Sequence, residues 1–493
     1  MLEYVSTRGG DERKRGAAAI IQGIAKDRGL FVPEKLPKLP FKPERKIGSP
    51  YQNVAFQVLK AFLPDFDDEE IAKCVGGAYD SKFEAPDIVP LVKTKKAYFL
   101  ELYHGRTAAF KDMALAILPY LLTIAMKKEK EGKRVAILTA TSGDTGKAAL
   151  EGFSDVPGTE IIVFYPKNGV SQVQERQMVT QTGKNTHVFG IRGNFDDAQS
   201  GVKKIFNDEA LAVRLSEKGY RLSSANSINI GRLIPQTAYY VYAYMKLLEL
   251  GAVKGGEPVN VAVPTGNFGN ILAAYYAKRM GVPVKKLICA SNKNNVLTDF
   301  INDGVYDANR EFYVTNSPSM DILVSSNLER LLYHLSGDDP RAVSALMRDL
   351  DSAGRYEVGA RIRDGLKDFY GGFADVRRTN DSIGKLYEEE GYLMDTHTAV
   401  AYAVYDEYRE ASGDETPTLV VSTASAYKFA DSVADAIGLD TDEDGFENIR
   451  RLHEKTGVRV PDGLKNLETK EIRHKEVVRV DGMAEATLRA LKA

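Results

Sequence analysis

Cysteine is nearly missing from this chain: Cys74 and Cys289 are the only two in 493 residues. Two thiols cannot supply spaced metal-binding pairs or the disulfide framework of a small secreted protein, so a reducing cytoplasm is the expected compartment. An excess of charge of either sign is missing as well. Lys and Arg total 66 against 68 Asp and Glu, which removes any general electrostatic drive toward nucleic acid or acidic membranes. No apolar run is long enough to span a bilayer. The opening MLEYVSTRGGDERKRG lacks the apolar stretch of a signal peptide and carries acidic residues that transit peptides avoid. Internal repeats and low-complexity tracts are lacking too. What is present, 43% hydrophobic and 27% charged residues, is the profile of an ordinary globular protein. At this length one hydrophobic core is not enough, and two or three packed units are expected.

The N-terminal part reads as helical. Residues 17–26 form a short apolar pattern stopped by Gly29, and 53–63 and 69–79 repeat the helical period. Between them Pro33, Pro37, Pro40, Pro43 and Pro50 exclude regular helix or central strand. From Val135 the texture changes to short, wholly apolar runs alternating with helices: 135–140, 160–166, 186–191, 259–264, 286–291 and, last, 418–423. That is the pattern of parallel sheets covered on both faces, an α/β class. The region from about 323 to 411 reads as helical. The expected division is 1–90 mostly helical, 91–230 a smaller α/β unit and 231–493 a larger one, with segments free to exchange between sheets. The acidic LDTDEDG (439–445) lacks the longer spaced loop of a calcium site and reads as a plain loop, so no metal is expected.

One stretch draws attention, ELYHGRTAAFKDMALAILPYLL (101–122), which sets Lys111 at the head of a long apolar helix pattern. A lysine there is costly unless neutralised, paired or covalently committed, and a Schiff base with an aldehyde cofactor is one such commitment. Snorkelling to water would serve as well. TATSGDTGKAAL (139–150) lies at a strand-to-helix turn, where Gly143 and Gly146 permit tight backbone and free N–H groups could meet an anion. An ordinary turn capped by Asp144 or Thr145 fits equally. PTGNFGN (264–270) repeats the arrangement as a nest suited to phosphate. It is neither a P-loop nor a dinucleotide fingerprint. SSANSINIGR (223–232) gathers Asn226, Ser227, Asn229 and Arg232 at a helix start, either for an oxyanion or as loop caps. VVSTASAYKF (420–429) leaves Ser422, Thr423 and Ser425 beyond the last strand, where open α/β sheets bind ligands. His104 and His397 read as structural, His104 being the better functional candidate by position. The Tyr-rich face of 238–248 reads as core.

HGRTAAFKD, TSGDTG, SANSINIGR and PTGNFGN, in this order, resemble the threonine synthase family, pyridoxal-phosphate enzymes of the tryptophan-synthase β-like fold. YVSTRGG and DRGLFVPEKLP resemble the start of its bacterial and fungal branch, so the likeness covers about residues 4 to 430. The resemblance implies that Lys111 is the Schiff-base lysine and that Gly266, Asn267, Phe268, Gly269 and Asn270 hold the phosphate of pyridoxal 5'-phosphate. It implies that Thr423 faces the pyridine nitrogen and that Ser142, Gly143, Asp144 and Thr145 sit over the substrate carboxylate. Asn226, Ser227, Asn229 and Arg232 would lie near a leaving phosphate. The implied reaction turns O-phospho-L-homoserine and water into L-threonine and phosphate. A related lyase acting on another phosphorylated or hydroxy amino acid, or a non-catalytic phospho-ligand binder, remains the alternative. The chain departs from the family pattern at Arg106, where relatives usually carry proline. It departs again at STASAYKF (422–429), which lacks the more usual glycine, histidine and proline around Thr423.

Overall fold

The computed structural model describes residues 2–10 and 12–493. Two parallel sheets organise the chain. The larger has six strands in the order Phe369–Phe373, Val284–Ser291, Val259–Pro264, Thr418–Ser422, Tyr98–Glu101, Leu91–Lys93. Every neighbouring pair is parallel except the last, an antiparallel edge. The smaller has five parallel strands in the order Val477–Arg479, Thr186–Arg192, Thr159–Pro166, Arg134–Ala140, Tyr220–Ser223. The reason lies in the strand sequences: all eight residues of Thr159–Pro166 and all six of Val259–Pro264 are buried, so both faces need helical cover.

The N-terminal part is mostly helical, with Gly16–Gln22, Tyr51–Phe62 and Asp68–Ala78. The third begins at a capping box in which Asp67 and Glu70 exchange side-chain-to-backbone bonds. This part is not wholly helical, because Tyr4–Ser6 pairs antiparallel with Phe31–Pro33. Its first helix stops at Gln22 instead of running to residue 26. Gly23 takes φ 76°, a left-handed conformation that glycine adopts without penalty, and ends it there. The helix Ile230–Glu249 is buried around nearly its whole circumference, as a central helix must be, and its tyrosines 239, 240, 242 and 244 are core. Among the described residues no helix is long and apolar enough to cross a membrane.

Several strands escaped the sequence pattern. Arg355–Glu357 and Phe369–Phe373 interrupt the region expected to be helical. The second contains Gly371 and Gly372, whose missing side chains remove the apolar alternation. A Cβ on Gly371 would lie 2.8 Å from the Thr298 carbonyl oxygen, and one on Gly372 would lie 2.6 Å from Val404 Cγ1. Helices therefore pack directly on that backbone. Thr418–Ser422 is not the final strand, since Val477–Arg479 adds to the edge of the smaller sheet. Leu91–Lys93 and Tyr98–Glu101, placed by sequence with the smaller unit, pair in the larger sheet. The acidic run 439–445 leads into the helix Gly445–Thr456, with Asp444 as its N-cap.

Helix Asp144–Phe153 packs where the chain leaves the Lys111 turn. A Cβ on Gly152 would lie 2.2 Å from the Leu115 carbonyl oxygen. Alanine for glycine inside a helix normally gains about 1 kcal/mol, but overpacking against rigid backbone costs roughly 1–3 kcal/mol. Gly152→Ala should therefore lower the urea midpoint with an unchanged slope. A rise in midpoint would show that the two helices are free to separate.

Candidate active site

The loop leading to Lys111 is stitched to the segment after the strand Thr418–Ser422. Leu102 N–H donates to the Ser422 carbonyl at 2.9 Å, Phe110 N–H to the Thr423 carbonyl at 2.7 Å, and Ser425 N–H to the Ala108 carbonyl at 3.0 Å. This holds Lys111 beside the C-terminal end of the central strand. The helix that follows is not continuous: a single turn, Asp112–Leu115, is followed by Leu118–Lys128, which carries Pro119 near its start. Proline tolerates the first turn of a helix but not its interior, so the pattern splits there.

Lys111 Nζ lies 3.5 Å from Ser319 Oγ. Desolvation pushes its ammonium down to about 8; Arg232 and Lys428 act in the same direction and Asp144 opposes them. Asp144 is the opposite case. Burial alone would raise its carboxyl, but Lys428 and Lys111 hold it well below the usual range, so it stays ionised. Lys428 Nζ is 2.8 Å from Asp144 Oδ1 and also donates to the Thr107 carbonyl at 2.9 Å and Gln177 Oε1 at 3.1 Å. Gln174 Nε2 donates to the same Asp144 oxygen at 3.0 Å. The turn before Asp144 depends on Gly143, at φ 135°, and on Thr141 Oγ1, which accepts the Gly143 and Gly146 N–H groups. The N-cap is thus Gly143, with Thr141 supplying the oxygen expected from Asp144 or Thr145. Ser142 and Thr145 are half-buried beside it.

The turn 264–270 has the character of an anion receptor. The backbone N–H groups from Gly266 to Asn270 donate no hydrogen bond among the described residues. Their carbonyls are anchored on the far side: Gly266 O accepts from Ser325 Oγ at 2.7 Å, and Asn267 O accepts from Asn327 N at 3.1 Å and Nδ2 at 2.9 Å. In a planar trans peptide the N–H points opposite to the C=O, so the N–H groups of Asn267 and Phe268 turn away from that anchor together. Phe268 is buried at φ 63°, an unusual conformation for a bulky side chain, and caps the helix Gly269–Met280. Asn270 Oδ1 accepts from Tyr239 at 2.6 Å and Tyr240 at 2.5 Å, while its buried Nδ2 has no partner. The two tyrosines are core residues that also orient an amide of the site.

Residues 226–232 adjoin this nest: a Cβ on Gly269 would sit 3.9 Å from Ser227 Cβ. Ser227 Oγ accepts from Asn327 Nδ2 at 3.2 Å. Arg232 is buried; Nη1 donates to the Ala225 carbonyl at 2.7 Å, and Nε has no partner. Burial pushes its guanidinium down to about 10. Asn226 is half-buried. Asn229 is spent on structure, accepting from Gly231 N–H at 2.9 Å as a helix N-cap and donating to the Ile20 carbonyl at 3.0 Å. Thr423 is 5% exposed, and its hydroxyl makes no hydrogen bond among the described residues. Ser319 joins the two halves, since its hydroxyl meets Lys111 and its carbonyl lies 2.7 Å from where a Gly266 Cβ would be.

Sequence reasoning missed Lys428, Ser319 and Asn327. Lys428 had a signal, lying five residues beyond Thr423 within the quoted VVSTASAYKF. Ser319 and Asn327 had none, because they belong to a loop that only folding brings back. The histidines exchange rank. His104 bonds Glu101 at 2.7 Å, whereas His397 accepts the Ser319 N–H at 3.1 Å and bonds Asp395 at 3.1 Å, one residue from the Lys111 contact. Arg106 pairs with Glu151 at 3.0 Å, so the residue standing in for proline is tied to the helix Asp144–Phe153.

Three family models tile the chain: threonine synthase N terminus over residues 3–79, pyridoxal-phosphate dependent enzyme over 83–425, and threonine synthase C-terminal over 398–487. Threonine synthase of Pseudomonas aeruginosa is 38% identical over 439 residues, 88% of this chain and 90% of that protein. The chain belongs to the threonine synthase family. The solved structure of pyridoxal-phosphate-bound threonine synthase from Brucella melitensis is 34% identical with a TM-score of 0.88, each chain covered completely. Human threonine synthase-like 1 is 39% identical over 85% of this chain, which spans 57% of that longer protein's length. Family membership carries the tryptophan-synthase β-like fold and dependence on pyridoxal 5'-phosphate. The residues present fit that cofactor: a half-buried lysine of lowered basicity, a row of free N–H groups for its phosphate, and a buried hydroxyl at Thr423 without a protein partner.

In the cofactor-free chain, Lys111 should react with an amine-selective reagent along a curve rising through pH 8, because the neutral amine prevails only above that value. Asp144→Asn should move the midpoint down, since the carboxylate is what favours the charged form. An upward shift would place Asp144 out of electrostatic reach.

Proposed function

We propose that this chain converts O-phospho-L-homoserine and water to L-threonine and phosphate in the cytoplasm. The observation that carries the reading is the presence of two separate places for an anion. The nest at 266–270 suits the phosphate of the cofactor, and the Arg232 guanidinium, with no carboxylate partner and its Nε free, suits a phosphate brought by the substrate. An enzyme acting on an uncharged hydroxy amino acid needs only the first. Cys74 and Cys289, both buried and unpaired, suit a reducing compartment.

Pyridoxal 5'-phosphate, when bound, supplies the electron sink that makes an amino-acid Cα proton removable. Lys111 would hold it, Gly266, Asn267, Phe268, Gly269 and Asn270 would receive its phosphate, and the Thr423 hydroxyl would face its ring nitrogen without delivering a full charge. The neutral Lys111 amine then serves as the base. Its Nζ takes the proton from the substrate Cα, hands it on, and then takes one from Cβ as phosphate departs from Cγ; Cγ is reprotonated, water adds at Cβ, and a proton returns to Cα. Serving two adjacent carbons demands a fixed lysine, which the stitch at Phe110 and the contact with Ser319 provide. A basicity lowered to about 8 brings a larger share of neutral amine near neutral pH than an ordinary lysine has. Asp144 is ionised and held by Lys428, so it would keep a negative charge beside Lys111. The substrate carboxylate would fall to Ser142, Gly143 and Thr145, where the backbone and hydroxyls carry no charge. Asn226 and Ser227 would complete the phosphate pocket, with Asn229 shaping it from the cap.

Phosphate release from O-phospho-L-homoserine, with threonine as the co-product, tests the reaction directly. Release from O-phosphoserine in its place would reassign the substrate. Borohydride reduction of the loaded protein should fix the cofactor on the peptide containing Lys111. Arg232→Lys keeps the charge but loses the planar fork, and should cut kcat/KM by roughly ten- to hundredfold with bound cofactor and its spectrum intact. Loss of the cofactor would assign Arg232 to the cofactor phosphate. Thr423→Val should retain the cofactor but slow turnover, and wild-type turnover would remove the hydroxyl from the ring nitrogen.

A further inference from the structure

Four lysine or arginine side chains are buried among the described residues: Lys147, Arg232, Arg330 and Lys428. They divide by partner. Lys147 pairs with Glu151 at 3.0 Å and Lys428 with Asp144 at 2.8 Å. Neither arginine has a carboxylate partner. Arg330, wholly inaccessible, donates Nε to the Phe31 carbonyl at 2.9 Å, Nη2 to the Ile228 carbonyl and Nη1 to Asn327 Oδ1, all neutral acceptors. Its neighbour Glu329 faces the other way, to Arg8 at 2.9 Å and Thr7 at 2.5 Å. Burial pushes the Arg330 guanidinium down to about 10, so it is still charged at neutral pH. A buried cation without a counter-charge is costly, and the arrangement makes sense where an anion arrives nearby.

The contacts of Asn327 point to where that anion sits. Its Oδ1 is held by Arg330, which fixes the amide orientation and leaves Nδ2 to donate to the Asn267 carbonyl at 2.9 Å and to Ser227 Oγ at 3.2 Å. The Asn267 carbonyl belongs to the peptide whose N–H is on Phe268, in the nest. Turning that carbonyl toward Asn327 turns the N–H toward the phosphate position. A donor that is itself hydrogen-bonded to a cation is polarised and donates more strongly.

We infer that Arg330 is a positioning residue for the phosphate of the cofactor: acting through Asn327, it locks the Asn267–Phe268 peptide with its N–H directed into the nest and lends the nest a positive charge from behind. The inference rests on the reading of 266–270 as the cofactor phosphate site. Arg330 touches neither reacting atoms nor ligand, and its role differs from that of Arg232, whose unpartnered Nε leaves it free to bind directly.

The test compares two ligands on the full-length, cofactor-free chain: pyridoxal 5'-phosphate, and pyridoxal, which lacks the phosphate. Binding is read from the visible absorbance of each bound ligand. In the wild type the phosphorylated ligand should bind far more tightly. Arg330→Met should weaken pyridoxal 5'-phosphate by about ten- to hundredfold while leaving pyridoxal within about twofold, the signature of one lost charge-assisted network. Arg330→Lys, with charge kept and fork lost, should fall between. Asn327→Asp is nearly isosteric, should fold if Arg330→Met does not, and should lose the same preference because its side chain no longer donates to Asn267, leaving only the backbone N–H bond. An equal loss of both ligands, or a preserved preference in Arg330→Met and Asn327→Asp, overturns the inference and leaves Arg330 a structural brace. A wild type that binds the two ligands equally overturns the nest reading itself, which separates that failure from this one.

Discussion

The site depends on a short antiparallel stitch between two loops that are more than three hundred residues apart in sequence. Phe110 N–H on the Thr423 carbonyl, and Ser425 N–H on the Ala108 carbonyl, tie the approach to Lys111 to the exit of the strand Thr418–Ser422. Sheet hydrogen bonds already place Tyr98–Glu101 beside that strand. The stitch joins the two segments again beyond the strand ends, now antiparallel, where backbone groups would otherwise be left unpaired. It therefore satisfies the backbone and sets the lysine opposite Thr423 in one arrangement.

Charge is distributed around this stitch in an ordered way. Asp144 pairs with Lys428 and feels the charge of Lys111 as well, so its carboxylate is balanced chiefly by Lys428. That leaves Lys111 as the cation most easily deprotonated, because desolvation and two neighbouring positive groups act on it together. The arginines keep their charge and are left without carboxylates, on the side where anions would bind. The buried lysines are thus matched to carboxylates, whereas the buried arginines are not.

Much of this was legible in the residue pattern, for identifiable reasons. The apolar runs 135–140, 160–166 and 259–264 became strands because their local preference and their burial agree. The helices that follow the runs 160–166 and 186–191 start at capping boxes on Ser171 and Asn194. The strand Phe369–Phe373 was invisible because its two glycines serve close helix packing instead of a side-chain pattern. Val477–Arg479 is three residues long and is a strand only because an open sheet edge receives it. Lys428 stood in view within a quoted motif but was read for its neighbours' hydroxyls. Asn229 looked like a ligand amide and turned out to be a helix cap.

By itself, then, the sequence determined the alternation of strand and helix and the βα turns with their glycines, and it singled out Lys111, Arg232 and Thr423 as candidates for the chemistry of a phosphorylated aldehyde cofactor and its substrate. These are properties of neighbouring residues, and local backbone preference and hydrophobic period express them directly. Only the tertiary structure decided what surrounds them. Ser319, Asn327 and Arg330 come from one returning loop and helix start, Lys428 from the far end of the last motif, and His397 from a separate helix. Their roles follow from hydrogen-bond geometry and burial, which are set by the packing of two sheets and one central helix and leave no period or spacing along the chain.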